Sequence, residues 1–255
     1  MFRGIDHFVV AVRDLDAAIA SFTQAGFSVA RGGRHNIGTE NALFAFADSS
    51  YVELIAFLNP ASGHPWQRAL EHGGGVVDFC MQTDDLAADI EALRRAGAKI
   101  NDPSAMTRRR PDGYVVSWVL GIPAPPFNGQ VPFLIKDETP RDERMPHERT
   151  HRNGVTGIQS ITIAVDDPGA TSVYYARVLG RPGVPLQRPD LDAAGVAFAI
   201  GPHQLQLVAP KSAEGALAEW IRARGQSPYE VKLKAAGGAP QLDPALLQGA
   251  RISIA

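Results

Sequence analysis

The sequence has a single cysteine, Cys80, in the apolar run Val76, Val77, Phe79 and Met81. One buried thiol forms no staple, so Cys80 reads as a small core side chain in a protein of a reducing compartment. No stretch approaches the roughly 18 consecutive apolar residues that span a bilayer. The start, Met1 to His7, lacks the apolar segment and cleavage pattern of a secretory leader, and the cytoplasm is the expected location. The formal net charge is only −2, which gives no global field to gather nucleic acid or an acidic membrane surface. The chain also contains no G-x-S-x-G elbow and no C-x-x-C pair, so serine-hydrolase and zinc-ribbon chemistry have no foothold.

One motif is present only formally. His147-Glu148-Arg149-Thr150-His151 matches H-E-x-x-H, but that chemistry needs both histidines on one face of a packed helix. Here Pro146 precedes the segment, Asn153-Gly154 closes it, and the polar stretch 137–153 has the composition of a linker. The expectation is an exposed connector that binds no zinc.

What the chain does contain is self-similarity, set in an ordinary globular balance of 45% hydrophobic and 20% charged residues. Residues 4–12 read as a strand, Asp14 as a helix cap, Leu15, Ile19 and Phe22 as an apolar helical stripe, and Gly26 as the stop. The same order recurs 71 residues later, with strand 75–81, Asp85, the stripe Leu86, Ile90 and Leu93, and Gly97. A third copy, 153 residues after the first, runs from strand 157–165 through Asp167 into a helix carrying Tyr174, Tyr175 and Val178. Each helix is followed by strand-like segments, so the unit is βαβββ. A degenerate fourth unit is expected in the tail, ordered as helix 217–222, strand 229–234 and strand 249–254.

A single open sheet of this kind leaves an edge and an apolar face uncovered, so units should pair. The expected class is α+β, with βαβββ modules paired into half-barrel sheets. Modules one and two would occupy residues 1–140, and the third with the degenerate fourth 141–255.

Several side chains stand out as polar groups in this frame. Glu53 alternates with Val52, Leu54 and Ile55, and Asp78 lies in a second apolar strand; buried carboxylates are costly unless partnered. Gly32-Gly33-Arg34-His35 with Gly38-Thr39 lacks a phosphate loop's Gly-Lys-Ser/Thr ending and reads as a hairpin turn, with His35, Thr39 and Asn41 as residues that could face a pocket. Arg108-Arg109-Arg110-Pro111 reads as a charged turn before a strand. Of these, Arg110 is the candidate to meet a substrate carboxylate, against the alternative of solvated surface. Trp118 is either core or cavity wall.

These repeats, together with Ile5-Asp6-His7, Gly32-Gly33-Arg34-His35, Glu53-Leu54-Ile55, Arg110-Pro111-Asp112-Gly113 and Asn153-Gly154-Val155-Thr156-Gly157, resemble the glyoxalase-like domain proteins of the vicinal-oxygen-chelate superfamily. That superfamily includes glyoxalases, extradiol dioxygenases and bleomycin-resistance proteins. The resemblance implies a metal between two paired modules, with one ligand from the first and one from the last strand of each. Carried over by position, these are His7, Glu53 and Asp78, with Phe133 at the fourth place; Ser160 and Gln206 take the corresponding places in module three. One imidazole and two carboxylates suit a divalent ion such as Fe, Mn, Zn or Ni. The implied activity is a metal-dependent lyase, isomerase or dioxygenase acting on a small oxygenated molecule, with Glu53 moving the proton. The rival is a metal-free protein of the same fold that sequesters a small molecule. The expected partner is that small molecule, with no nucleic acid and no membrane, and a homodimer is left open.

Overall fold

A computed structural model describes residues 2–60, 63–237 and 241–255 of the chain. Module one comprises β1 (Phe2–Ala11), α1 (Leu15–Gln24), β2 (Ala30–His35), β3 (Thr39–Ala45) and β4 (Tyr51–Phe57). A short helix, α2 (Gln67–Glu71), leads into module two: β5 (Gly75–Thr83), α3 (Leu86–Arg95), β6 (Ser104–Arg109), β7 (Val115–Gly121) and β8 (Phe133–Asp137). After α4 (Arg141–Arg144), module three runs through β9 (Val155–Ala164), α5 (Pro168–Leu179), β10 (Val184–Arg188), β11 (Ala193–Ile200) and β12 (His203–Pro210). The tail supplies α6 (Ala216–Arg224), β13 (Ser227–Ala235) and β14 (Ile252–Ile254).

The punctuation read from the sequence sets the helix ends. Asp14, Asp85 and Asp167 each cap a helix, accepting from the amides of Ala17, Ala88 and Ala170 at 2.9, 3.0 and 3.0 Å. Gly26, Gly97 and Gly180 follow the helices with φ of 94°, 102° and 66°, the left-handed conformation that glycine adopts without a Cβ penalty.

Modules one and two close into a barrel of order β1-β4-β3-β2-β6-β7-β8-β5. Their first strands pair antiparallel around Phe8 opposite Phe79, so His7 lies across from Cys80 and Val9 from Asp78. Such a pair is symmetric when His7 and Asp78 occupy equivalent places. The last strands run parallel to the first, with Val9 beside Glu53 in module one, Cys80 beside Phe133 in module two and Thr162 beside Gln206 in module three. The register therefore reproduces the repeat spacing read from the sequence.

Module three and the tail form a six-stranded sheet, β10-β11-β12-β9-β13-β14. Here α6, β13 and β14 follow the helix–strand–strand order expected for the tail, and the pairing shows which strand opens the unit. β13 pairs antiparallel with β9 as β5 does with β1, and so is the first strand of its module. Helix α6 precedes it, as α2 precedes β5. β14 lies parallel to β13 as a last strand, and no intervening helix-strand-strand segment is present among the described residues. The shortened unit leaves this sheet open.

The segment between the two sheets also differs from expectation. Arg144 and His151 are buried, whereas His147 is exposed. The His151 ring accepts from the Ser28 amide at 3.0 Å and donates to the Ala45 carbonyl oxygen at 3.1 Å. Both ring nitrogens are thus engaged in the barrel wall, and the two histidines do not share a helix face. Composition marked the segment as polar, but it did not reveal that these polar groups satisfy buried partners.

Candidate active site

The barrel encloses a cavity of about 300 Å³. Its walls are largely apolar, from Ile55, Trp66, Met106, Trp118, Leu120 and Phe133, while His7, His35, Glu53, Asp78 and Arg108 bring polar groups to it. A mostly apolar chamber with a few convergent polar groups is the usual form of a small-molecule site.

Glu53 stands at the centre of the polar cluster. One of its oxygens lies 3.6 Å from His7 Nε2 and the other 3.6 Å from His35 Nε2. Asn41 donates to the second oxygen at 2.6 Å and sits 3.4 Å from His35 Nε2. Asn41 reaches this place because Gly32 has no side chain; a Cβ there would stand 2.2 Å from Asn41 Oδ1. Burial pushes the Glu53 carboxyl up, but the two imidazoles, Asn41 and Arg108 outweigh it, so Glu53 sits below its ordinary value and is ionised.

Each imidazole is oriented from behind. His7 Nδ1 lies 2.7 Å from Asp6 Oδ1, and Asp6 is fully buried and ion-paired with Arg144 and Arg141. Burial raises Asp6, but Arg144, His7 and Arg141 more than offset it and hold it well below the usual carboxylate range. An ionised Asp6 accepts a hydrogen bond from His7 Nδ1–H and leaves the Nε2 lone pair turned toward Glu53. The His7 ring is stacked on Tyr51 at 4.4 Å and edged by Phe133 at 5.2 Å. His35 Nδ1 lies 2.8 Å from Thr39 Oγ1 and its Nε2 lies 3.4 Å from Asn41 Nδ2, and burial, with Arg108, holds His35 below the usual histidine value.

Asp78 occupies a different environment. It lines the same cavity, but its oxygens accept from the Phe79 amide at 2.9 Å and Trp66 Nε1 at 3.3 Å. Burial raises it to about 7, only partly opposed by those two donors. His7, Glu53 and Asp78 therefore share a chamber but do not meet at one point. Among the described residues, the trio whose donor atoms all lie within 4.8 Å of one another is Asp6, His7 and Cys80. That trio suits a cation poorly: Asp6 is already bound by two guanidiniums, and burial, with Asp6, holds the Cys80 thiol well above its ordinary value.

The residues around Glu53 offer better donor chemistry for a divalent ion, but the donor atoms of His7, His35 and Glu53 do not all lie within 4.8 Å of one another. Two imidazole Nε2 atoms face one ionised carboxylate, and each ring is held through its other nitrogen, as in known metal sites. Phe133, at the fourth superfamily position, contributes no donor. The remaining sequence candidates separate clearly. Trp118 is a cavity wall, edge-on to His35 at 5.8 Å. Asn41 stands behind Glu53 rather than facing the cavity. Arg110 lies outside it, ion-paired with Asp112 and Glu143 at the surface. Arg108 and Arg109 belong to strand β6 rather than a turn, and this strand alternation sends Arg108 inward.

The model of the glyoxalase-like domain family matches residues 5–179, well over half of the chain. No curated protein sequence matches it. Among solved structures, a hypothetical protein from Staphylococcus aureus is similar at a TM-score of 0.70 and 15% identity, with 98% of each chain covered. A triple mutant of 4-hydroxymandelate synthase from Streptomyces coelicolor is similar at 0.62 and 15% identity, over 92% of this chain and 72% of that one. A xylose isomerase-like TIM barrel/4-hydroxyphenylpyruvate dioxygenase fusion protein gives 0.56 and 15% identity, over 92% of this chain and 36% of that one. At such identities the likeness concerns the fold. The matched family model, with the paired βαβββ modules, shows that the chain belongs to the glyoxalase-like domain family.

Proposed function

We propose that the chain is a metal-dependent enzyme acting on a small oxygenated organic molecule inside the barrel, with His7, His35 and Glu53 as the groups that hold the ion. The observation that carries this reading is the pair of 3.6 Å approaches of His7 Nε2 and His35 Nε2 to the two oxygens of Glu53. Both imidazoles have their Nδ1 atoms already engaged. A bound divalent ion would act as a Lewis acid toward substrate oxygens.

The chain's own groups do the rest. Asp6 fixes the His7 tautomer, and Asn41 and Thr39 fix Glu53 and His35. Trp118, Leu120 and Phe133 exclude water, which strengthens every electrostatic interaction in the chamber. Asp78, protonated below about pH 7, can supply a proton at its carboxyl oxygen, while ionised Glu53 can accept one. Two carboxyls pushed apart in this way form an acid and base pair. The neighbours named as a synthase and a dioxygenase fusion support an enzyme on this scaffold, although a fold hosts many chemistries.

A second reading, a metal-free sequestering protein, is favoured by Phe133, which removes one donor position, and by Asp78, which keeps its carboxyl on Trp66. Elemental analysis of protein purified without chelator separates the two. The enzyme reading expects about one transition-metal ion per chain, lost in Glu53→Gln. Metal-free protein that takes up none of Fe, Mn, Zn or Ni on titration favours the second.

A further inference from the structure

We infer that Arg108 is the recognition point for a carboxylate, so that the ligand of this cavity is a small monocarboxylic acid with an apolar body. The inference deepens the reading of the barrel as a small-molecule site and rests on it. Arg108 projects from β6 beside His35, its cross-strand neighbour at the seam where the two modules meet, and it lines the cavity. Its side chain is only 3% exposed. A guanidinium carries five donors in a planar fork, yet among the described residues Arg108 makes one hydrogen bond, from Nη2 to the Arg144 carbonyl oxygen at 2.7 Å. Its Nε is buried without any partner, and no ion pair involves it.

Three nearby arginines, Arg110, Arg141 and Arg144, behave differently. Arg141 and Arg144 are held by Asp6 and Asp137, and Arg110 by Asp112 and Glu143. An unpaired buried charge is among the more expensive features a fold can retain. A ligand carboxylate would relieve that cost with a charge-assisted, forked hydrogen bond. Glu53 does not fill this role, because its oxygens face His7, His35 and Asn41. Glu53 already balances part of the Arg108 charge through space, so the unfilled donors of the fork call for a single carboxylate rather than a phosphate dianion. The walls, built from Ile37, Met106, Trp118, Ile122 and Ile135, suit an aryl or alkyl remainder of the acid. Placed on Arg108, the acid would lie next to His35 and so within the polar cluster of Glu53.

The test compares matched pairs, phenylacetate with phenylacetamide and hexanoate with hexanamide, by calorimetric titration of the full chain. Wild-type protein should bind the acid of at least one pair tenfold or more tightly than its amide. Arg108→Gln should abolish that preference while amide binding persists, which shows that the cavity is intact. Arg108→Lys, retaining charge without the fork, should keep a weakened preference. Equal preference in wild type and Arg108→Gln, amides binding as tightly as acids, or no acid binding at about 10 mM would each overturn the proposal. The titrations are repeated on Glu53→Gln protein with its metal content measured. A preference that survives there while no ion is bound would sink the metal reading alone. A preference absent throughout in ion-loaded protein would sink the Arg108 proposal alone.

Discussion

Asp6 and Asp78 illustrate how one residue type takes opposite roles in neighbouring strands. Asp6 is ionised between Arg144 and Arg141, whereas Asp78 has only neutral donors and is driven up to about 7. Asp6→Asn would strand the fully buried Arg144, and breaking a buried pair in this way costs about 3–5 kcal/mol. A loss of unfolding free energy in urea smaller than about 1 kcal/mol would show that Asp137 alone satisfies Arg144. For Asp78 the sign runs the other way. Its folded value lies above the unfolded value of about 4, so the neutral form favours folding. That contribution is complete below about pH 4 and is lost as pH rises to about 7. With ~1.4 kcal/mol for each pH unit in that window, the loss is about 4 kcal/mol at most. Asp78→Asn, uncharged throughout, should therefore be more stable than wild type at pH 8 and nearly equal to it at pH 4. Thermal melts across that range check this, and a constant difference at every pH would contradict it.

At the scale of elements, the seam between β2 and β6 closes the barrel with a short register, Arg34 to Arg109 and His35 to Arg108. Gly33 makes that closure possible. Its φ is 132°, and a Cβ would stand 1.9 Å from the Arg109 carbonyl oxygen, so the backbones approach as only glycine allows. Gly33→Ala should part the seam and cost more than about 2 kcal/mol, with the amides at the seam losing hydrogen-exchange protection before the rest of the barrel. Unchanged protection there would place the closure elsewhere. The sequence showed that glycines punctuate this region, but it suggested a turn. The turn actually falls between β2 and β3, and Gly32 and Gly33 lie in the strand. Periodicity records which residues alternate, not which backbone presses against another. The same limit hid the role of His35. Repeat spacing compares first strands with first and last with last, so a ligand-type histidine on a second strand has no counterpart to betray it. Arg108 was passed over for Arg110 because both sit in one basic run. Only the strand's alternation, sending Arg108 inward and leaving Arg110 just past the strand end, tells them apart.

Over the whole molecule, the outer faces of the barrel and the open sheet share one continuous apolar core, with Phe8, Val10 and Phe79 from the barrel, Ile158 and Leu205 from the sheet and Tyr175 from α5. Tyr175 reinforces the junction by donating to the Gln130 carbonyl oxygen, and Asp48 accepts from the Ile158 amide at 3.2 Å. Calorimetry should therefore show a single unfolding transition; two well-separated transitions would mean that the sheets are energetically independent. The paired-module plan was legible because a 71-residue and a 153-residue spacing repeat caps, stripes and stops together, and the register follows from them. The chemistry was only half legible, since His7, Glu53 and Asp78 were singled out by the family resemblance carried over by position, whereas their supporting groups come from packing. The most direct test of the account is a titration of metal-free protein with Co²⁺, followed by its visible absorption. Bands that saturate at about one equivalent, persist in Asp78→Asn and vanish in Glu53→Gln are expected. Bands that persist in Glu53→Gln, or none at all in wild-type protein, would contradict it.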